Sequence, residues 1–359
     1  MRTTPFLTAT SKLHLDATRN YSLDLVRALA IVLVLIWHLQ PLRFKSPDFL
    51  AFVNFVILDQ FTLVAVPLFY LISMSLFFAH PLENSQYLKR RLLRIGELYI
   101  FWTGVQVLAY YVVCSSAKYL IFTRISCELP SVEELLVWGG PALPFVAGSV
   151  FYFLSFLFVL TLLAFVYARL GGRVRATVGF AIIFGCSAYF EFVGLLRIPE
   201  NTLSWLIAFL PYVPLAYVLR SGISFRKTIL VLLFFILFSA HDILILHSVF
   251  SAYSRISILI GSVGIFCSIR SLNLSANKYV MFLSKHSLGL FSVHKYWQLL
   301  FLFVFSKFFL HFGFSDTTTV NILGAELYAA YIPIALLAVI TSLISVKMVE
   351  RTPLRKYVA

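Results

Sequence analysis

The chain has 359 residues, of which 60% are hydrophobic and 12% charged, with 37 phenylalanines and a net charge of +14. No water-soluble domain buries so large an apolar share, which excludes a soluble globular protein and the nucleic-acid binding that such a charge would otherwise suggest. Four scattered cysteines (Cys114, Cys127, Cys186, Cys267), without CxxC or Cys/His spacing, support neither a disulfide framework nor a metal site. Continuous apolar runs of about 20 residues recur along the chain, unlike the short alternating segments of a barrel. They predict an all-α, polytopic membrane bundle of about ten transmembrane helices, one domain over 1–359.

Residues 1–23 are polar and mixed, and no small-residue cleavage site follows the first apolar run, so that run is expected to be a retained span at 25–39. The second is expected at 61–79, with a weaker apolar segment at 50–58 that could lengthen it. Lys89, Arg90, Arg91 and Arg94 precede the third, at 95–114. The mixed segment 116–144, with Pro130, Pro141 and Pro144, suits an outer loop that re-enters the bundle or lies on its surface. Further spans are expected at 146–168, 177–196, 203–219, 228–247, 256–269, 280–305 and 325–346, before a basic tail, 347–359. Ten spans put both termini on one side, and the segments on that side carry 21 of the 29 lysines and arginines. That bias predicts cytoplasmic termini, with 1–23 and 347–359 as cytoplasmic segments.

The first span holds the residues that hydrocarbon tolerates least. Arg27 and His38 are eleven apart, about 16 Å along a helix and within roughly 20° of one face. Asp24, one turn before Arg27, is spaced for its carboxylate to meet the guanidinium. Ionisable groups within a span are functional-site candidates, although an arginine that snorkels and a histidine at the far interface would also fit. Arg90, Arg91 and Arg94 suit bidentate recognition of phosphates, or serve as ordinary flanking charge. In the ninth span Ser287 and His294 share a face, whereas Lys295 points elsewhere and, like His286, has no assigned role. Glu191, His241 and Asp242 are further intramembrane ionisable groups, either lining an acceptor cavity or pairing structurally.

Taken in order, these motifs resemble the membrane acyltransferase 3 family, which includes O-acetyltransferases of lipopolysaccharide, exopolysaccharide and lipo-oligosaccharide signals. Asp24-xx-Arg27 with His38 resembles its first-helix signature, and Val66-Pro67-Leu68-Phe69-Tyr70-Leu71-Ile72-Ser73 its second-helix motif. Arg91-xx-Arg94-Ile95 looks like its Arg-rich motif, Ser287-Leu288-Gly289 through His294 like its SxGxYxxH, and Val349-Glu350-Arg351-Thr352-Pro353 like its closing Glu-Pro element. Met74 replaces a usual glycine, Gly96-Glu97 a proline region, Phe291 a tyrosine, and Phe151-Tyr152 a Trp-Phe pair.

The resemblance implies transfer of an acyl group, commonly acetyl, from cytoplasmic acyl-CoA to a hydroxyl of an exported or surface carbohydrate, in a bacterial inner or plasma membrane. On that reading Arg90, Arg91 and Arg94 bind the phosphates of the donor, and Arg27, oriented by Asp24, holds its phosphate or thioester end. His38 serves as general base, or as the residue that accepts the acyl group itself. His294, Ser287 and Ser73 contribute to substrate binding. The expected partners are acyl-CoA, the glycan acceptor and membrane lipids, with no metal and no nucleic acid. A transporter or flippase, or a polymerase of a lipid-linked glycan, is the alternative for the same buried charges.

Overall fold

The first span folds as α1 (Tyr21–Leu39) in the structure, a computed structural model that describes residues 20–39, 60–80, 85–117, 128–143, 148–196, 201–244, 253–272, 275, 277–311, 319–322, 325–328 and 331–358. Residues 1–19 of the N-terminal segment, the weak apolar segment 50–58 and residues 118–127 of the long loop lie outside the described residues. The remaining helices are α2 (Ala65–Phe78), α3 (Ser85–Ala117), α4 (Tyr152–Arg169), α5 (Gly172–Leu196), α6 (Thr202–Phe209), α7 (Tyr212–Leu219) and α8 (Phe225–Leu244). They are followed by α9 (Ile256–Arg270), α10 (Lys278–Lys285), α11 (Ser287–His311) and α12 (Tyr331–Glu350).

Among the described residues, eight helical stretches are long and apolar enough to cross a membrane, α6 and α7 counting together as one. The apolar helices α2 and α9 have 14 and 15 residues. At 1.5 Å per residue α2 reaches about 21 Å, short of a hydrocarbon core of about 30 Å. This is an integral, multi-pass helical membrane protein. Its lipid-facing surface is plain on α8, where Phe225, Leu230, Leu233, Ile236 and Leu237 are all exposed. In water such a face would be untenable; in a bilayer it faces its own solvent.

Three expected boundaries are corrected. Helix α3 starts at Ser85, about ten residues early, because Gln, Leu, Lys and Arg favour helix and neither Gly nor Pro interrupts them before Gly96. The arginine cluster therefore rides on the helix. The span expected at 203–219 agrees with the stretch Thr202–Leu219, within which the helix breaks at Pro211, whose ring and missing N–H disrupt a continuous ladder. The span at 280–305 is divided at His286 into α10, capped by the Asn277 side chain, and α11. The last span begins at Tyr331 instead of 325, with Pro333 tolerated in its first turn. Ahead of it, β1 (Thr319–Ile322) and β2 (Ala325–Tyr328) form an antiparallel hairpin with Thr319 opposite Tyr328.

The core gathers around α1, α2 and α4, where Ile31, Leu68, Tyr70, Leu71, Phe77 and Phe151 are almost completely buried. Met74 is fully buried among them, so the position after Ser73 is filled by side chain. The end of the long loop re-enters: Gly139, Gly140, Pro141 and Leu143 are buried, and Gln106 Nε2 of α3 donates to the Pro141 carbonyl at 2.8 Å.

Helix α1 runs parallel to the α10–α11 pair. Near its start Asp24 meets Ser284, and near its end His38 meets His294, so both sequences advance in the same direction. This parallel seam positions the candidate site.

Candidate active site

One end of the seam is polar and charged. The Ser284 hydroxyl donates to Asp24 Oδ1 at 2.5 Å and accepts from Arg27 Nη1 at 3.5 Å. Asp24 and Arg27 thus converge on a serine from another helix, which spacing within α1 alone does not reveal. Asp24 is 7% exposed, so its carboxylate depends on such donors. Ser287 donates to the Ser284 carbonyl at 3.0 Å, which ties the start of α11 to the same cluster.

A short clasp surrounds this end. Glu350, at the foot of α12, pairs with Lys285, with Lys347 at 3.2 Å and with His286 at 3.6 Å, across the break between α10 and α11. The following turn, Pro353–Tyr357, is capped by Thr352 and packs on α3. There Arg94 donates to the Lys356 carbonyl, Trp102 Nε1 donates to the Tyr357 carbonyl at 3.2 Å, and Phe101 stacks on Tyr357 at 3.9 Å. Gly289 permits the approach, since a Cβ there would lie 2.7 Å from the Val358 carbonyl oxygen.

The three arginines differ in what they do. Arg91 Nη2 donates to the Ser73 carbonyl at 2.8 Å and to its hydroxyl at 2.7 Å, and the guanidinium lies 5.3 Å from the Phe77 ring. It fastens α3 to α2, and Ser73 is its partner. Arg94 holds the C-terminal turn. Arg90 is exposed, bonded only weakly to the Gln86 carbonyl at 3.4 Å.

The other end of the seam is an imidazole pair. The rings of His38 and His294 lie 5.1 Å apart, tilted by 41°. His294 is fully buried, and its Nδ1 lies 3.0 Å from the Leu290 carbonyl. A carbonyl only accepts, so that nitrogen carries the hydrogen and Nε2 presents a lone pair in the neutral ring. Among the described residues Nε2 has no hydrogen-bond partner. Gln298 Nε2 donates to the His38 carbonyl at 2.8 Å, one turn beyond His294. Lys295, without a role in the sequence reading, donates to the Gly148 carbonyl at 2.6 Å and so fixes the chain entering α4 beside the pair.

The structure therefore brings Asp24, Arg27 and Ser287 to one end of the seam, His38 and His294 to the other, and Arg91 with Ser73 to a separate α2–α3 junction. Sequence reasoning missed Ser284, Lys295 and Gln298. Their one local signal is polarity on the α10–α11 stretch, since their partners are distant in sequence. Among the described residues no group of His, Cys, Asp and Glu is arranged to hold a metal ion.

A family model described as an acyltransferase domain matches residues 20–346. No curated protein and no solved structure matches the chain. The match takes in the whole seam, from α1 through α11 and nearly all of α12, and on it the chain belongs to the membrane acyltransferase 3 family.

Proposed function

We propose that the protein moves an acyl group, acetyl in the simplest case, from acyl-CoA to a hydroxyl of an exported or surface carbohydrate. The observation that carries this reading is the parallel seam. Its guanidinium end and its imidazole end are separated by about three helical turns, roughly 16 Å, a distance that an extended pantetheine arm bridges. The donor's phosphates belong at the Arg27 end, with exposed Arg90 and, after some movement of the C-terminal turn, Arg94 as further cations. The thioester then reaches the histidines. With that end cytoplasmic, in line with the charge bias of the loops, the acceptor approaches from the opposite side.

His38 takes the proton from the acceptor hydroxyl, whose oxygen attacks the thioester carbonyl. The carbon–sulfur bond breaks, and the CoA thiolate leaves with the proton that the imidazole had taken. His294, with its Nε2 lone pair, accepts a hydrogen bond from the acceptor or from His38 and sets the ring orientation. Direct transfer needs no covalent intermediate on the protein when donor and acceptor meet at the same imidazole. Family membership makes acyl transfer the reaction class, so the transporter and polymerase alternatives fall away.

The test is ester content. Surface glycan from cells making the wild type, the His38→Ala variant or no protein would be compared by mass spectrometry, with membrane levels matched. Ester should be lost in the variant as in the deletion. Wild-type ester content in His38→Ala cells would overturn the reading.

A further inference from the structure

A second polar cluster lies apart from the seam, where the end of α8 meets the start of α9. Asp242 is 1% exposed, and both of its hydrogen bonds among the described residues fall on one oxygen: Gln60 Nε2 donates to Oδ2 at 3.3 Å, and Ser257 Oγ donates to the same atom. Ser257 lies 3.0 Å from Gln60 Oε1, which closes a triangle of three buried side chains. The other carboxylate oxygen, Oδ1, has no hydrogen-bond partner among the described residues; His241 Nδ1 stands 3.8 Å away. His241 Nε2 in turn lies 3.9 Å from Glu191 Oε2, and these two side chains are 29% and 28% exposed. The cluster thus has a buried floor and a partly open rim.

A group of aromatic rings is joined to it through the start of α9. The segment Tyr253 to Ser257 carries Ser257 in the polar triangle and Tyr253 among the rings. The Tyr253 ring lies 5.3 Å from Trp205, which lies 5.0 Å from Tyr152, and the Tyr152 and Tyr253 hydroxyls are 3.2 Å apart. Tyr152 opens α4 four residues after Gly148, whose carbonyl Lys295 holds beside His294. This chain of contacts places the rings on the His38 side of the molecule.

The geometry points to a sugar-binding subsite, with the Gln60, Glu191, His241, Asp242 and Ser257 cluster hydrogen-bonding ring hydroxyls and the half-buried Tyr152 and Trp205 rings, backed by buried Tyr253, packing against the ring face. Among the described residues this buried carboxylate oxygen has no donor, a costly arrangement that a ligand hydroxyl would relieve. An amide, an imidazole and two carboxylates offer both donors and acceptors to a polyol, and an aromatic face covers its C–H side. A hydroxyl-rich ligand offers this oxygen a donor, which an acyl or polyprenyl chain does not. The inference rests on the acyltransferase reading above and adds to it the place where the acceptor is held.

Two measurements separate this inference from that reading. Purified protein in detergent would be titrated with a panel of methyl glycosides (gluco, galacto, manno and rhamno), following tryptophan fluorescence. Saturable change with at least one glycoside is expected, weakened roughly tenfold or more in the isosteric Asp242→Asn and in the rim variant Glu191→Gln, the loss of one charge-assisted hydrogen bond. In the transfer assay the same variants should raise KM for the glycan and leave KM for acyl-CoA unchanged. Absence of saturation with every glycoside, or equal titration by wild type and variants, overturns the subsite, because Glu191→Gln alters a partly exposed side chain and leaves the fold intact. Absence of acyl transfer in wild type would count against the reaction, while the titration would still decide the site.

Discussion

His38 and His294 approach within 5.1 Å across the seam between α1 and α11, with Gln298 holding the His38 backbone one turn away. If His294 orients while His38 reacts, the two positions differ in what substitution removes. His38→Ala should lower the transfer rate by about two to four orders of magnitude, the usual worth of a general base. His294→Gln, which keeps a polar group of similar reach, should lower kcat by less and leave KM for acyl-CoA unchanged. Steady-state kinetics of both variants in nanodiscs would check this, and equal losses would give the two rings equal parts.

Ser284 satisfies Asp24 and Arg27 at once, so its removal should be felt twice. Ser284→Ala deprives a buried carboxylate of a donor, a loss of about 1.5–3 kcal/mol. We expect a lower melting temperature together with weaker acyl-CoA binding. Normal binding in a destabilised variant would limit the serine to a structural part.

Arg90 and Arg91 should behave in opposite ways despite being neighbours. Arg91→Lys keeps the charge but loses the planar group whose Nη2 donates twice to Ser73 while Nη1 reaches the Tyr87 hydroxyl and the plane lies by the Phe77 ring, so melting temperature should fall. Arg90→Ala should leave stability within about 0.5 kcal/mol, as exposed substitutions do, and weaken acyl-CoA binding. Thermal melts and donor titrations of the pair provide the comparison.

Gly289→Ala puts a methyl 2.7 Å from the Val358 carbonyl and 2.9 Å from the Val346 side chain. Overpacking of this kind costs about 1–3 kcal/mol, and backbone on one side leaves little room to yield. The C-terminal turn should lift from α3, seen as faster proteolysis after Arg355 or Lys356. An unchanged digestion rate would show that the turn is held by its α3 contacts alone.

Much of the architecture was legible because bilayer thickness imposes a length on every apolar run. The face shared by Asp24, Arg27 and His38 was legible because helical period alone determines it. Breaks were harder: Pro211 carries its own signal, but His286 does not, and α10 and α11 read as one stretch until Glu350 is seen to bracket the junction. Ser73 was singled out for substrate, yet in space it is the partner of Arg91. The Gln60–Asp242–Ser257 triangle joins positions 182 and 197 residues apart, and no local pattern marks Gln60 or Ser257 as companions of an intramembrane aspartate.

Parallel packing of α1 with α10 and α11 also governs the timing of assembly. Asp24 and Ser284 are separated by 260 residues, and translation at roughly 5–20 residues per second leaves on the order of 10–50 seconds between their emergence from the ribosome. Throughout that interval the newborn first helix carries its carboxylate and guanidinium without the Ser284 hydroxyl that bridges them in the folded chain. Chains halted before α10 would lack the Ser284 hydroxyl that both side chains share in the finished protein.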